Sequence, residues 1–336
     1  MFDILKKVLK PVGPSGLEEP VAAAIREEVQ GCVDSIETDA MGNLICVKKG
    51  TDPRGRRIML SAHMDHIGFI VTGYEKEGFL RVTNVGGIGI DVSLTRHVAF
   101  ANGVQGVVVC EPVTGQKAMK NLFIDIGAES KEEAEKLVQL GDVAVYAPDC
   151  FRLGEHRVAS PAMDDRCACA LLVKLLQTVG ETPDTLIAVF SVQEEVGCRG
   201  ARVASFAMEP DVGIALDVTA WGDTPEVKQP AVSLGEGIAV KVMDRASISN
   251  PALRDELLAC GEKAGVKTQR EVLAFGGTDA GAMQTSRGGI PVCTLSSPCR
   301  YVHSACEVID MRDMDAGLKV LQTYLRKYPL HGAGRG

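Results

Sequence analysis

Aromatic side chains are scarce, at 4% of the 336 residues, and a single tryptophan leaves little with which to stack on a sugar. Positive charge is in deficit, with 36 lysines and arginines against 44 aspartates and glutamates and a formal net charge of -8. That balance argues against a nucleic-acid or anionic-membrane partner. No run approaches the roughly 20 apolar residues of a membrane span. The N-terminal MFDILKKVLKPVGPSG is amphipathic but lacks the apolar core and small-residue cleavage site of a secretory signal. Cysteine is present but lacks pairing: the count of eleven is odd, and Cys167 and Cys169 form only C-x-C with no second pair at zinc-finger spacing. These are read as reduced core thiols, which puts the chain in the cytoplasm.

A 46% hydrophobic composition supplies a sizeable core. The length exceeds the roughly 250–300 residues at which single cores stop growing, so two structural units are expected. Ser15 and Glu18 have the spacing of a capping box before a helical pattern through about Val29, with Ala22, Ile25 and Val29 on one face. Strands are expected at Leu44–Lys48 and 57–62, the second running an apolar block directly into His63. From about 69 to 157 the texture becomes glycine-punctuated short strands, including 79–83, His97–Phe100, 106–109 and Val143–Tyr146. One helix there is opened by Ser130 and Glu133.

Beyond Ser160 helices and near-continuous apolar strands alternate. Helices are expected at 165–179, from Asn250-Pro251 to about 263, and at 314–327, with strands at 186–192, 212–216 and 290–295. The fold class is therefore α/β, a mostly parallel-core mixed sheet flanked by helices, with an inserted small β-rich domain. Residues 1–68 and 158–336 form the expected main domain and 69–157 the insert.

Metal-competent side chains recur where buried strands give way to loops: His63 and Asp65, Glu194 and Glu195, then Asp217. Ligands of open α/β sheets bind beyond the carboxyl ends of strands, so one convergent site is expected. Asp164 and Asp165 precede a helix, and His303 follows the last strand. Each has a plainer reading when taken alone. His63-x-Asp65 could be a loop with a capping aspartate, Asp164-Asp165-Arg166 a helix cap with an ion pair, and Asp217 a turn former. His66 reads as a bystander.

Glu194-Glu195 says more, because adjacent carboxylates after an apolar strand repel if both are buried without counter-charge. A metal would supply it, and Gly197 and Gly200 free the backbone for the turn. Two-metal hydrolysis of a peptide bond needs a bridging carboxylate, terminal His and Asp/Glu ligands, and a free carboxylate to accept a proton from water. The sequence contains that inventory. Imidazole and carboxylate without thiolate suit Zn²⁺ and also permit Co²⁺ or Mn²⁺.

At these residues the chain resembles the tetrahedral (TET) aminopeptidases, co-catalytic metallopeptidases that include glutamyl and deblocking aminopeptidases. The likeness rests on Ser61-Ala-His63-Met-Asp65-His-Ile-Gly68, Ala162-Met-Asp164-Asp-Arg166, Gln193-Glu-Glu-Val-Gly197, Ala215-Leu-Asp217-Val-Thr219, Gly277-Thr-Asp279-Ala280 and Arg300-Tyr-Val-His303-Ser304. The resemblance implies two divalent ions, one held by His63, Asp164 and Asp217 and the other by Asp164, Glu195 and His303. It makes Glu194 the general base, Asp65 the support of the first histidine, and Asp165 and Arg166 neighbours. It also implies a zinc-peptidase-like fold, and an insert that helps dimerisation. Dimers would then assemble into a hollow homododecamer that admits peptides and excludes folded proteins.

Gly276-Gly277-Thr278-Asp279 either shapes a substrate pocket or makes a turn. Arg300 and Tyr301 either contact the peptide backbone or, for the arginine, balance charge. Two further functions share the inventory. An N-acyl amino acid amidohydrolase or deacylase would use the same site. An endoglucanase would use paired carboxylates, but adjacent Glu194 and Glu195 would hardly flank a sugar bond from opposite sides.

Overall fold

The computed structural model describes residues 1–326. An eleven-stranded mixed sheet forms the frame, and its centre is parallel: Thr185–Ser191 lies beside Arg57–His63, then Val212–Thr219, then Val292–Arg300. Antiparallel strands complete both sides. Leu44–Lys48 and Ser35–Thr38 form one edge, and Glu307–Asp310, Arg157–Ser160 and Phe151–Leu153 the other, with Ile238–Met243 and Thr268–Val272 branching from Val292–Arg300.

The central strands carry apolar residues on both faces because both faces of the sheet are covered. Pleating sends Ile58, Leu60 and Ala62 into one core and Met59 into another, and Leu186, Ala188 and Phe190 alternate likewise with Ile187 and Val189. The first core packs under helix Met163–Thr178, which is itself enclosed by helices Phe2–Leu9, Glu19–Val29 and Met311–Leu325. The second packs under Arg199–Met208 and Asp279–Gln284.

Strands Gly68–Tyr74, Leu80–Val85, His97–Phe100, Gln105–Cys110, Leu122–Asp125 and Val143–Tyr146 close into a separate barrel with its own core. Within it Phe69 and Tyr146 meet edge to face, with ring centroids 5.8 Å apart. Closure removes the exposed edges that such short strands would otherwise present. The first and last barrel strands pair with each other, Phe69 opposite Ala144, so the chain enters and leaves the barrel at one place.

Several expectations need correction. The N-terminal amphipathic segment is itself a helix, Phe2–Leu9. The capping box at Ser15 does not form: Ser15 Oγ donates to Asp65 Oδ2 at 2.6 Å, and Glu18 Oε1 accepts from the amides of Gly16 and Gln193 at 2.8 and 3.0 Å. Ser15 is drawn to the buried Asp65 carboxylate and Glu18 to backbone amides, and the helix starts at Glu19 with Pro20 in its first turn. Val212–Thr219 runs beyond the expected 216, so Asp217 sits within a strand opposite Ser296. The last helix is Met311–Leu325, and Lys327, its expected end, lies outside the described residues.

Candidate metal centre

The parallel strands deliver their carboxyl ends to one cavity of about 670 Å³, lined among others by His63, Asp164, Glu194, Glu195, Asp217 and His303. His63 is the last residue of its strand, and three contacts fix it. Its amide donates to Asp165 Oδ2 at 3.3 Å, Cys169 Sγ donates to its carbonyl at 3.1 Å, and its Nδ1 lies 3.1 Å from the Asp65 carbonyl oxygen. A proton on Nδ1 serves that carbonyl, so Nε2, 3.1 Å from Asp164 Oδ1, faces the carboxylate as acceptor to acceptor. Only a proton or a cation between them makes that contact favourable.

Asp164 stands at the mouth of helix Met163–Thr178 in extended rather than helical geometry (φ -76°, ψ 103°) and is joined to Asp165 by a cis peptide bond. Its second oxygen, Oδ2, lies 3.2 Å from His303 Nε2, which is also 3.2 Å from Glu195 Oε2. Asp164 thus faces a different imidazole with each oxygen. Potential ligand atoms of His63, Asp164 and Asp217 lie within 4.8 Å of one another, and so do those of Asp164, Glu195 and His303.

Asp65 stands beside His63 and has a second task. Its carboxylate is 3.5 Å from His63 Nδ1 but accepts the amides of Glu194 at 2.9 Å and Glu195 at 3.2 Å, so it holds the turn that carries both glutamates. Glu307, which the sequence reading did not single out, performs the matching task on the other side. Its Oε1 accepts the His303 amide at 2.6 Å and its Oε2 the Asp164 amide at 3.0 Å. No motif marks it, since it opens the four-residue strand Glu307–Asp310.

Burial alone would lower the imidazoles, yet Asp164 and Asp65 hold His63 well above its ordinary value, and Asp164 and Glu195 push His303 up to about 12. Burial raises Glu194, Asp165 and Asp217 well above the carboxylate range, with neighbouring carboxylates adding to it. Burial then Asp164 push Glu307 up to about 8. Glu195 Oε1 and Asp165 Oδ1 are buried without a hydrogen-bond partner. Crowded carboxylates, acceptor-to-acceptor contacts and orphaned oxygens fit divalent cations that take oxygen and imidazole ligands.

Other expected residues find different places. His66 is buried with Nδ1 2.9 Å from the Ile67 carbonyl. Arg166, fully buried, donates to the carbonyls of Met64, Val8, Pro11 and Gly13, tying the N-terminal segment beneath the site. Arg300 forms a two-pronged pair with Asp223 at 2.8 and 2.7 Å, and Tyr301 packs edge to face on Trp221 at 5.4 Å. Gly276 and Gly277 line the cavity, and a Cβ on Gly277 would come 2.7 Å from that of Ala246. The loop therefore both packs and shapes the pocket.

A helix-covered sheet with buried carboxylates and imidazoles at the carboxyl ends of its parallel strands is the arrangement of a metal-dependent peptidase. The chain belongs to the M42 glutamyl aminopeptidase family, whose model matches residues 42–320. A putative aminopeptidase of Acetivibrio thermocellus is 45% identical over 326 residues, covering 96% of this chain and 97% of that one. An aminopeptidase of the archaeon Desulfurococcus kamchatkensis superposes with a TM-score of 0.93 at 33% identity, covering 97% of this chain and 94% of that one. The Pyrococcus horikoshii TET1 peptidase, described as assembling into a tetrahedron or a large octahedral shell, superposes at 0.87 with 33% identity over 97% and 99%. Fold, family and relatives make this chain an aminopeptidase.

Proposed function

We propose that the chain removes N-terminal residues from peptides at a centre of two divalent cations bridged by Asp164, with Glu194 as general base. The observation that carries this reading is the pair of contacts made by Asp164, Oδ1 with His63 and Oδ2 with His303. His63 and Asp217 would complete one cation's ligands, and Glu195 and His303 the other's. Zn²⁺ suits these donors best, with Co²⁺ or Mn²⁺ as substitutes. Cations held by these residues would supply polarisation of the scissile carbonyl and acidify water.

Glu194 reaches into the cavity with Oε2 3.9 Å from His63 Nε2, beside this ligand set yet outside both triads. Its carboxylate takes the proton from the attacking water and delivers it to the departing amine. Asp65 holds it there through the Glu194 amide. Adjacent Glu194 and Glu195 share one turn, which disfavours a glycosidase.

The barrel is the proposed dimerisation module, and the proposed division of the chain is 1–68 with 158–336 and 69–157, the second unit carrying beyond its barrel the strand Phe151–Leu153, which joins the main sheet. It exposes Val107, Val113, Leu137 and Leu140, apolar side chains suited to burial against a second copy. By likeness to the TET1 peptidase, dimers would build a dodecamer in the cytoplasm that admits peptides. Turnover of a panel of free and N-acylated aminoacyl substrates tests the reading. Cleavage of free N-termini supports aminopeptidase, whereas exclusive cleavage of acylated ones would make the chain a deacylase.

A further inference from the structure

Glu194, Cys198 and Asp279 form a third cluster beside the two triads, and their potential ligand atoms lie within 4.8 Å of one another. Asp279 opens the helix Asp279–Gln284 and is 2% exposed. Its Oδ2 accepts from Ser61 and Ser191, both at 2.6 Å, whereas Oδ1 is buried and has no hydrogen-bond partner. Cys198 sits at the start of helix Arg199–Met208 in left-handed geometry (φ 51°), and its Sγ donates to Glu194 Oε1 at 3.2 Å. Glu194 and Cys198 both line the cavity, so an ion can reach them. The cluster therefore offers one sulfur, one accessible carboxylate and one buried carboxylate oxygen that lacks a partner.

We infer that Glu194, Cys198 and Asp279 bind a further, thiophilic divalent cation, and that its binding inhibits the enzyme by occupying the carboxylate of Glu194. The inhibitory half rests on the proposed role of Glu194; the binding half does not. Three protein donors with one open position match the four-coordinate preference of Zn²⁺. Cys198 would release its thiol proton to solvent on binding, and the sulfur would then face the cation instead of donating to Glu194. Thiolate is a soft ligand, so Zn²⁺ and Cd²⁺ are favoured there over Mn²⁺. The two proposed catalytic sites contain no sulfur, so the added cation differs from theirs in the metals it selects. The result is an activity that rises with zinc and falls again when zinc is in excess, whereas manganese activates without the falling phase.

The test uses the full-length protein loaded with its activating metal, then titrated with Cd²⁺ while the ultraviolet cadmium–thiolate band is followed. The intact protein is expected to show a saturable band that is missing from Cys198→Ala and Cys198→Ser, with the remaining thiols giving the same background in all three. In parallel, the midpoint for inhibition by excess Zn²⁺ should rise at least about tenfold in both variants, a loss of roughly 1.4 kcal/mol of binding. Identical bands in the three proteins would overturn the site. Unchanged zinc inhibition in the variants, with the band lost, would overturn the inhibitory role. A protein that cleaves nothing would refute the aminopeptidase mechanism, while the band would still decide the site.

Discussion

The carboxylate of Asp65 receives the backbone amide of Glu194 at 2.9 Å, so the residue beside His63 also aims the glutamate opposite. Its second oxygen takes Glu195 N at 3.2 Å and Ser15 Oγ at 2.6 Å. Asp65→Asn would put an amide group against one of these donors. Turnover is expected to fall about 10–100-fold with metal content nearly preserved, as for other outer-shell partners of metal sites. Steady-state kinetics with metal analysis checks this, and full activity would remove Asp65 from the account.

Glu194→Gln keeps the shape of the side chain but removes the base. Two cations per chain should remain bound while turnover falls about 10²–10⁴-fold, the usual contribution of a general base. Loss of a cation together with activity would instead make Glu194 a ligand.

His66 gives the fold a dependence on pH. Burial first, then the positive charge of Arg166, hold its imidazole down to about 3. The unfolded chain binds a proton near pH 6.5 that the folded chain refuses, so stability is lost as pH falls from about 6.5 toward 3. At pH 5 the loss from this group is about 2 kcal/mol relative to pH 7. His66→Asn, which can still donate to the Ile67 carbonyl, should lose correspondingly less stability between pH 7 and pH 5 in urea melts. Equal losses in the two proteins would contradict the assignment.

Because Phe69 pairs with Ala144, the barrel can be excised and its ends rejoined by a short linker. Replacing residues 70–143 by a few glycines and serines should leave the main sheet folded by circular dichroism and lower the mass found by sedimentation. An unchanged assembly would refute the barrel's role.

Much of the fold was legible because both faces of the central strands are covered. Runs such as Ile58-Met59-Leu60 are then apolar without interruption and stand out from the alternating texture of the barrel. His63, Glu194 and Glu195 were legible as candidates that now line one cavity for a related reason: polar groups at the ends of such strands lie at sheet ends. Ser15 and Glu18 were misread and Glu307 missed because a deciding partner of each, Asp65, the Gln193 amide and the Asp164 amide, lies far along the chain. Ser15 and Glu18 have the local spacing of a helix cap, and only the folded chain brings Asp65 and the Gln193 amide to them. Glu307 in a short strand looks like an ordinary edge residue until Asp164 and His303 are seen hanging from its two oxygens.

A two-cation centre built on Asp164 is tested by stripping the protein of metal, measuring the loss, and titrating Zn²⁺ or Co²⁺ back while turnover of an aminoacyl chromogenic substrate is followed. No turnover is expected in the stripped protein, and full recovery at two equivalents per chain. Undiminished turnover after confirmed metal loss, or full recovery at one equivalent, would contradict it.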